Sequence, residues 1–154
     1  VECGVWYGVL ARTMVEYTNF AQHKDRRFYL VDPFGHIDTL GMDHYKSDIY
    51  GVVQQRFNAF GNVRLVRGKV PEVLPEVPSE QIAYLSIDMS GVEPERAALN
   101  YFYDKVVPGG VIYFDDYGWT DFPALKAMVD RFFEDKLESV LQLPSGQGLV
   151  IKTG

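Results

Sequence analysis

The sequence predicts a doubly wound α/β domain, in which helices cover both faces of a mainly parallel sheet. Short apolar segments with strand character alternate with longer amphipathic segments, which is the pattern of right-handed βαβ units. With 154 residues, the chain is long enough for one such core and too short for two ordinary domains. Polar residues or glycines end each predicted strand, as expected where parallel strands deliver ligand-binding groups to one edge.

The predicted elements follow in order along the chain. Strands are predicted at residues 1–5, 27–32, 63–68, 82–88 and 110–116. Amphipathic periodicity predicts helices at residues 10–21, 45–60, 94–106 and 122–137. We expect the first helix to pack Leu10, Met14 and Tyr17 against the sheet, since they recur at helical spacing. The Pro-Gly-Gly segment at 108–110 is expected to stop the third helix before the fifth strand.

The end of the chain departs from this alternation. The segments "SVLQLP" and "LVIKT" are joined by only Ser-Gly-Gln-Gly, which leaves no room for a helix. They are therefore expected to form an antiparallel hairpin at one edge of the sheet. Residues 33–45 show no clear period and are expected to form a loop over one face.

Composition and charge narrow the class of protein. The net charge of -6 and pI near 5.0 disfavour a general nucleic-acid binder, so a small molecule is the expected partner. No apolar run approaches the roughly 20 residues of a membrane span, and no signal peptide is visible. The single cysteine, Cys3, cannot form an internal disulfide, so we expect a cytoplasmic setting.

The opening of the chain falls inside a predicted strand. It has no initiator Met and begins directly on "VECGVWYG". We therefore expect residues 1–154 to form one core from which upstream residues are missing. The sequence leaves a homo-oligomer open.

A glycine turn and an acid indicate a cofactor that contains adenosine. Gly4 and Gly8 follow the first strand, and Asp32 ends the second, where it could accept hydrogen bonds from both ribose hydroxyls. The spacing E-x-G-x-x-x-G lacks the G-x-G-x-x-G of dinucleotide sites, which makes a dinucleotide the weaker candidate. The alternative is that the glycines only form a turn and that Asp32 is a solvated strand end.

Three carboxylates end two strands that are expected to be neighbours. Asp88 follows the fourth strand, and Asp115 and Asp116 follow the fifth. Gathered in a small space, they would form an all-oxygen site suited to Mg²⁺, Mn²⁺ or Ca²⁺. The alternative is that one of the pair caps the next helix while the other faces water. His36 and His44 lie where a loop could bring them over a cofactor.

The residues also resemble a known family. The segments "VECGVWYG", "RRFYLVDPFG", "IAYLSIDMSG" and "VVPGGVIYFDDYGW" resemble, in order, segments of class I S-adenosylmethionine-dependent methyltransferases. The chain is most similar to the macrocin O-methyltransferase family of antibiotic-sugar methylases, with catechol O-methyltransferase a more distant relative. The resemblance implies a Rossmann-like methyltransferase sheet with strand order 3-2-1-4-5-7-6. It also implies methyl transfer to a hydroxyl of a small molecule, such as a sugar or glycoside.

The resemblance further implies a role for particular residues. Asp32 would hold the ribose, and Asp88, Asp115 and Asp116 would hold a divalent cation, usually Mg²⁺, against the acceptor hydroxyl. The resemblance also implies that Asp88 is a cofactor-binding and a catalytic residue. The remaining cofactor-binding residues are those of the first turn, for methionine, and those after the third strand, for adenine: Glu2, Gly4, Val5, Trp6, Gly8, Gly68, Lys69 and Val70.

One departure from the family concerns the general base. The antibiotic-sugar enzymes carry a second acid two residues after the acid that matches Asp88, and the catechol enzyme carries a lysine three residues after it. Here these positions are Ser90 and Gly91. Either His36, His44 or an aspartate of the 38–43 loop serves as the base, or the metal alone suffices, or the domain methylates poorly. A nicotinamide-dependent oxidoreductase and a non-catalytic adenosine-binding module remain the alternatives.

Overall fold

The computed structural model describes residues 1–35 and 48–154, which form one mixed sheet with helices on both faces. The strands are β1 (Glu2–Cys3), β2 (Phe28–Asp32), β3 (Val63–Arg67), β4 (Ile82–Ile87), β5 (Val106–Phe114), β6 (Leu141–Gln142) and β7 (Gly148–Ile151). The helices are α1 (Val9–Tyr17), α2 (Tyr50–Phe57), α3 (Val92–Phe102) and α4 (Pro123–Phe133).

The sheet order is β3-β2-β1-β4-β5-β7-β6, which confirms the predicted fold class and strand order. Strands β1 to β5 pair in parallel, and β7 pairs antiparallel with both β5 and β6. The predicted terminal hairpin is thus confirmed. The strand order reverses between β1 and β4. The carboxyl ends of β1, β2, β4 and β5 therefore lie side by side at the point where ligands bind in such sheets.

Two apolar clusters lie on opposite faces of the sheet. Adjacent residues of β2 show this directly, because Leu30 belongs to the cluster under α1 and α2, whereas Val31 belongs to the cluster under α3 and α4. Side chains of a strand alternate between faces, so both faces of β2 are buried. None of the helices in the described part of the chain combines the length and apolar character needed to cross a membrane.

Helix α1 is shorter than predicted and faces the sheet with a different stripe. It ends at Tyr17, and Asn19 beyond it takes a left-handed conformation with φ 51°. Ala11 and Val15 are buried, Met14 is partly buried, and Tyr17 is 88% exposed, so the prediction for Tyr17 is wrong. Because Ala11 and Val15 form the buried stripe and residues are about 100° apart around a helix, Tyr17, about 200° from Val15, faces outward.

Strand β5 is longer than predicted. It begins at Val106, so the Pro-Gly-Gly segment at 108–110 lies inside the strand and not between helix and strand. The pairing with β4 shifts between Ile82↔Val106 and Tyr84↔Val111, which marks an irregularity that accommodates these residues. Gly109 and Gly110 also exchange backbone hydrogen bonds with Lys152, so the terminal hairpin supports the segment as a strand.

The other helices keep their predicted type with different ends. Helix α2 covers Tyr50–Phe57, within the predicted 45–60, of which 45–47 lie outside the described residues. Helix α3 starts at Val92, before Pro94, and ends at Phe102, where a 3-10 turn (Tyr103–Lys105) leads into β5.

Candidate functional site

The carboxyl ends of the parallel strands border one cleft of about 350 Å³. Among its lining residues are eight that the sequence predicted for cofactor or metal: Gly4, Trp6, Asp32, Gly68, Val70, Asp88, Asp115 and Asp116. Others were not in the predicted sets: Val31, Pro33, Met89, Ser90, Trp119 and Phe122. The predicted cofactor turn and the predicted metal acids therefore share one cavity.

The turn after β1 depends on two glycines. Gly4 has φ 86°, and a Cβ there would lie 1.6 Å from the carbonyl oxygen of Asp88. Gly8 has φ 72° and precedes α1, and a Cβ there would lie 2.7 Å from the ring of Phe57. Since a side chain at Gly4 would collide with backbone, only glycine lets this turn approach the end of β4.

The side chain of Asp32 holds this turn by binding the turn's backbone N–H groups. Its Oδ2 accepts hydrogen bonds from the N–H groups of Val5 at 2.7 Å and Trp6 at 2.9 Å. Its Oδ1 accepts one from the N–H of Phe34 at 2.5 Å. A carboxylate offers about four acceptor positions, so about one remains for a ribose hydroxyl. Ribose binding by Asp32 stays a prediction.

Glu2 lies in the core of the sheet and not on the cleft. It is 1% exposed, and its Oε2 meets no hydrogen-bond donor among the residues that the structure describes. Burial raises the pKa of Glu2 to about 8, although the backbone N–H of Ala11 partly stabilises the charged form. The cleft lining within the described chain also omits Val5, Gly8 and the exposed Lys69, whose predicted contacts with a cofactor remain predictions.

The three strand-end acids lie together. One carboxylate oxygen from each of Asp88, Asp115 and Asp116 can be chosen so that all three lie within 4.8 Å of one another. Within residues 1–35 and 48–154, no other three His, Cys, Asp or Glu side chains bring ligand atoms this close together. Convergent carboxylate oxygens suit a hard divalent cation. That a cation binds there remains a prediction.

The electrostatics of these acids also fit a cation. Burial, together with the charges of Asp115 and Asp116, raises the pKa of Asp88 to about 8. Burial likewise raises the pKa of Asp116. The folded chain therefore holds carboxylates whose charged forms are disfavoured, and a bound cation would offset that cost.

Neighbouring side chains orient the two acids after β5. The Tyr113 hydroxyl donates to Asp115 Oδ1 at 2.8 Å, and the Gln147 amide approaches the same oxygen at 3.5 Å. The Ser90 hydroxyl donates to Asp116 Oδ2 at 2.9 Å. Ser90, which takes the place of the family's second acid, is thus bound to the acid trio, by which we mean Asp88, Asp115 and Asp116.

Sequence reasoning missed two polar residues beside the trio. Glu95 is 3% exposed and accepts a hydrogen bond from the Met89 N–H at 3.1 Å. The sequence pattern indicates Glu95, because it is a carboxylate at a position of the apolar stripe of α3. Gln147 had no such signal, since only the folding of the hairpin brings it to β5. His36 and His44 lie outside the described residues.

Comparison with known proteins identifies the family. The family model for macrocin O-methyltransferases matches residues 1–142. The chain belongs to the macrocin O-methyltransferase family. The resemblance that the sequence motifs indicated is therefore confirmed.

Curated relatives of this family member carry O-methyltransferase names. Demethyldecarbamoylnovobiocin O-methyltransferase of Streptomyces niveus is 27% identical over 150 residues, covering 86% of this chain and 56% of the relative. Mycinamicin III 3''-O-methyltransferase of Micromonospora griseorubida is 24% identical over 140 residues, covering 76% of this chain and 54% of the relative. The chain thus spans about half the length of the curated relatives it matches.

Solved structures share the fold of this family member. The O-methyltransferase NovP superposes with a TM-score of 0.80 at 24% identity, covering 99% of this chain and 71% of NovP. CalS11, a TDP-rhamnose 3'-O-methyltransferase of calicheamicin biosynthesis, gives a TM-score of 0.73 at 20% identity, with 97% and 69% coverage. At these identities the likeness shows the fold alone.

Proposed function

We propose that this chain is the core of an S-adenosylmethionine-dependent O-methyltransferase that acts on a hydroxyl group of a sugar or glycoside. The observation that supports it most is the shared cleft, in which the turn at Gly4 faces the acid trio. Membership of the family and the names of the relatives, which describe O-methylation of novobiocin and mycinamicin compounds, support the acceptor class.

The residues of the cleft divide into two groups. The backbone of the turn around Gly4, with Asp32, Gly68 and Val70, would hold S-adenosylmethionine, which supplies the methyl group from its sulfonium. The acid trio would hold a divalent cation beside the acceptor hydroxyl, and the cation would lower the pKa of that hydroxyl. Held in one cavity, donor and acceptor would meet in the orientation that methyl transfer requires.

Methyl transfer also requires a group that accepts the proton of the acceptor hydroxyl. The proton must leave the oxygen as the new C–O bond forms, and the position of the family's second acid is occupied by Ser90. We retain His36, His44 and the aspartates of residues 38–43, all outside the described residues, as the candidate proton acceptors, with the metal alone as the other route. Asp88 would act as a ligand of the cation that holds the acceptor hydroxyl. The serine at position 90, where the family has its second acid, also favours a second function, a non-catalytic module that binds an adenosine-containing cofactor.

The first experiment separates these functions and the oxidoreductase alternative. Calorimetric titrations of the purified protein with S-adenosylmethionine and with NAD are expected to show binding of the first only. Methyl transfer from labelled cofactor to a panel of deoxysugar glycosides, with Mg²⁺ or with EDTA, is expected to require Mg²⁺. Cofactor binding without transfer to any acceptor would favour the non-catalytic module, and binding of NAD alone would favour an oxidoreductase.

Substitutions test the acid trio. Asp115→Asn and Asp116→Asn are each expected to reduce methyl transfer at least tenfold, about 1.4 kcal/mol of activation free energy, with cofactor affinity nearly unchanged. The exposed Asp121, close in sequence to the pair, provides Asp121→Asn as the matched control. Transfer that survives both trio substitutions and excess EDTA would leave these aspartates a structural role only.

A further inference from the structure

A buried carboxylate on α3 lies outside the cleft and has no part in the function proposed above. Glu95 is 3% exposed and shares the inward stripe of α3 with Ala98, Leu99 and Phe102, each 0% exposed. A charge on such a stripe costs several kcal/mol unless it is paired or hydrogen-bonded. An aliphatic residue would be expected at this position if packing alone decided it.

Glu95 binds a backbone amide of the loop between β4 and α3. Its Oε1 accepts the N–H of Met89 at 3.1 Å, and the nearby backbone amides of Ser90 and Gly91 also favour its charged form. This loop follows directly on Asp88, the first acid of the trio, and Met89 and Ser90 line the cleft. Glu95 therefore fastens the segment that joins the trio to α3.

Ser90, the next residue of the loop, contacts another acid of the trio, Asp116. It has φ 52°, a left-handed conformation that costs a non-glycine residue about 1–2 kcal/mol and needs support from its surroundings. The N–H of its neighbour Met89 is held by Glu95, and the Ser90 hydroxyl donates to Asp116 Oδ2 at 2.9 Å. Two hydrogen bonds thus hold adjacent residues of this loop, one from the Met89 N–H to Glu95 and one from the Ser90 hydroxyl to Asp116.

We propose that Glu95 is a positioning residue of the acid trio, which holds the loop of Met89 to Gly91 so that Ser90 binds Asp116 beside Asp88. The inference rests on the proposed function for what the trio binds. It gives Ser90, which stands in place of the family's second acid, a role in holding Asp116. A simple cap for the start of α3 would account for the bonds to the loop but not for an effect on Asp116.

The test compares two glutamates in the first turns of the same helix. Glu93 is 79% exposed and pairs only with Arg96 among the described residues, so Glu93→Ala is the matched control for Glu95→Ala. Mn²⁺ serves as the probe, and its affinity is measured by electron paramagnetic resonance without cofactor or acceptor. We expect Glu95→Ala to weaken Mn²⁺ binding about tenfold, with S-adenosylmethionine affinity within about twofold, and Glu93→Ala to change neither.

Glu95→Gln provides the conservative variant should Glu95→Ala not fold. Its amide oxygen can still accept the loop N–H groups, so it is expected to retain most of the Mn²⁺ affinity. A folded Glu95→Ala protein whose Mn²⁺ affinity equals that of the Glu93→Ala variant would overturn the proposal, and so would a folded Glu95→Gln protein that loses Mn²⁺ affinity about tenfold.

A double-substitution cycle tests the path through Ser90. Ser90→Ala alone is expected to weaken Mn²⁺ binding, and the Glu95→Ala, Ser90→Ala double variant should bind no more weakly than the poorer single variant. Additive losses would show that Glu95 acts by another route and would contradict the proposal.

Hydrogen exchange keeps the test independent of the proposed function. If the wild-type protein binds no Mn²⁺, the metal part of the proposed function fails, and the positioning role is then judged from exchange alone. Glu95→Ala is expected to accelerate amide exchange in residues 88–91 and in 115–118, whereas Glu93→Ala is not. Faster exchange confined to the start of α3 would assign Glu95 a capping role only.

Discussion

At the end of β2, the Asp32 carboxylate accepts hydrogen bonds from the backbone of two different loops. Val5 and Trp6 belong to the turn after β1, and Phe34 belongs to the segment after β2. A single side chain thus holds together the two loops that border the cleft next to Gly4. Removing it would disturb the turn as well as any direct contact with a ligand.

Replacing Asp32 tests its part in cofactor binding. Hydrogen bonds to a charged acceptor contribute about 1.5–3 kcal/mol, so Asp32→Ala is expected to weaken S-adenosylmethionine binding by about one to two decades. Calorimetry measures the affinity, and Asp25→Ala, at an exposed acid before β2, is the control. Wild-type affinity in a folded Asp32→Ala protein would remove Asp32 from the cofactor site and leave it a structural residue.

Gly4 and Gly51 give a matched pair of glycine substitutions. Gly4→Ala would place a Cβ against the backbone of Asp88, whereas a Cβ at Gly51, on the exposed side of α2, meets nothing within 4 Å. We expect Gly4→Ala to lower the free energy of unfolding by at least about 2 kcal/mol. Gly51→Ala should raise it by about 0.5–1 kcal/mol, because alanine favours the helix. Urea unfolding measures both, and similar values for the two would contradict the close approach at Gly4.

Among the elements, the terminal hairpin holds the segment that follows β5. The Gly118 N–H donates to the Gly146 carbonyl at 2.5 Å, and a Cβ at Gly146 would lie 2.8 Å from Nε1 of Trp119. Trp119 in turn lines the cleft. Helix α4 holds the same segment from the other side, since the Tyr117 hydroxyl donates to Asp130 at 2.5 Å. Hairpin and helix together set where Trp119 meets the cleft.

Gly146 and Gly109 separate a steric effect from a backbone effect. Both have positive φ, 101° and 80°, but a Cβ at Gly109 meets nothing within 4 Å. Gly109→Ala is expected to cost about 1–2 kcal/mol of unfolding free energy from backbone strain alone. Gly146→Ala should cost more and should shift the fluorescence of Trp119, assigned by comparison with Trp119→Phe. An unchanged spectrum would show that the hairpin does not position this ring.

Over the whole molecule, buried carboxyls divide into two kinds. Burial raises the pKa of Glu2 to about 8 and that of Glu95 to about 7. Burial also disfavours charge on Glu138, but hydrogen bonds from Tyr103 and Thr153 bring its pKa down to about 2. Glu138 therefore stabilises the fold in its charged form, by joining the end of the chain to Tyr103, whereas Glu2 and Glu95 are more stable protonated.

Stability is therefore expected to fall as pH rises above about 5 in the absence of metal. Glu2, Asp88 and Glu95 have raised pKa values, so the folded chain binds more protons than the unfolded chain between about pH 4 and pH 8. Their contribution is complete below about pH 4 and is lost as pH rises through about 7 to 8. The lowered pKa of Glu138 works oppositely, and its contribution is lost only as pH falls from about 4.5 towards 2.

Urea unfolding in EDTA at pH 5, 6, 7 and 8 checks this dependence. We expect the free energy of unfolding to decrease by more than about 1 kcal/mol across the series, since each pKa unit corresponds to about 1.4 kcal/mol. Glu95→Gln, which cannot titrate, is expected to flatten the slope between pH 5 and 7. A free energy of unfolding that rises with pH would contradict the raised pKa values.

The sequence by itself determined the order of the elements and the edge where the functional residues meet. Alternation of strand and helix periods predicts parallel βαβ units, and parallel strands present their carboxyl ends at one edge, so Gly4, Asp32 and the acid trio could be placed there. The short Ser-Gly-Gln-Gly segment left only a hairpin as the final connection. These conclusions need local pattern and chain length alone, which is why they agreed with the structure.

Only the tertiary structure decided which side chains are inside and what holds the acids in place. Tyr17 has helical spacing to Leu10 and Met14, yet the helix buries the stripe of Ala11 and Val15 instead and leaves Tyr17 exposed. The Pro-Gly-Gly segment reads as a helix stop, yet pairing with Lys152 from the distant hairpin makes it part of β5. Glu95 is buried, and its carboxylate accepts the Met89 N–H in the folded loop after β4. Such contacts join residues far apart or buried together, so their energies appear only when the chain has folded.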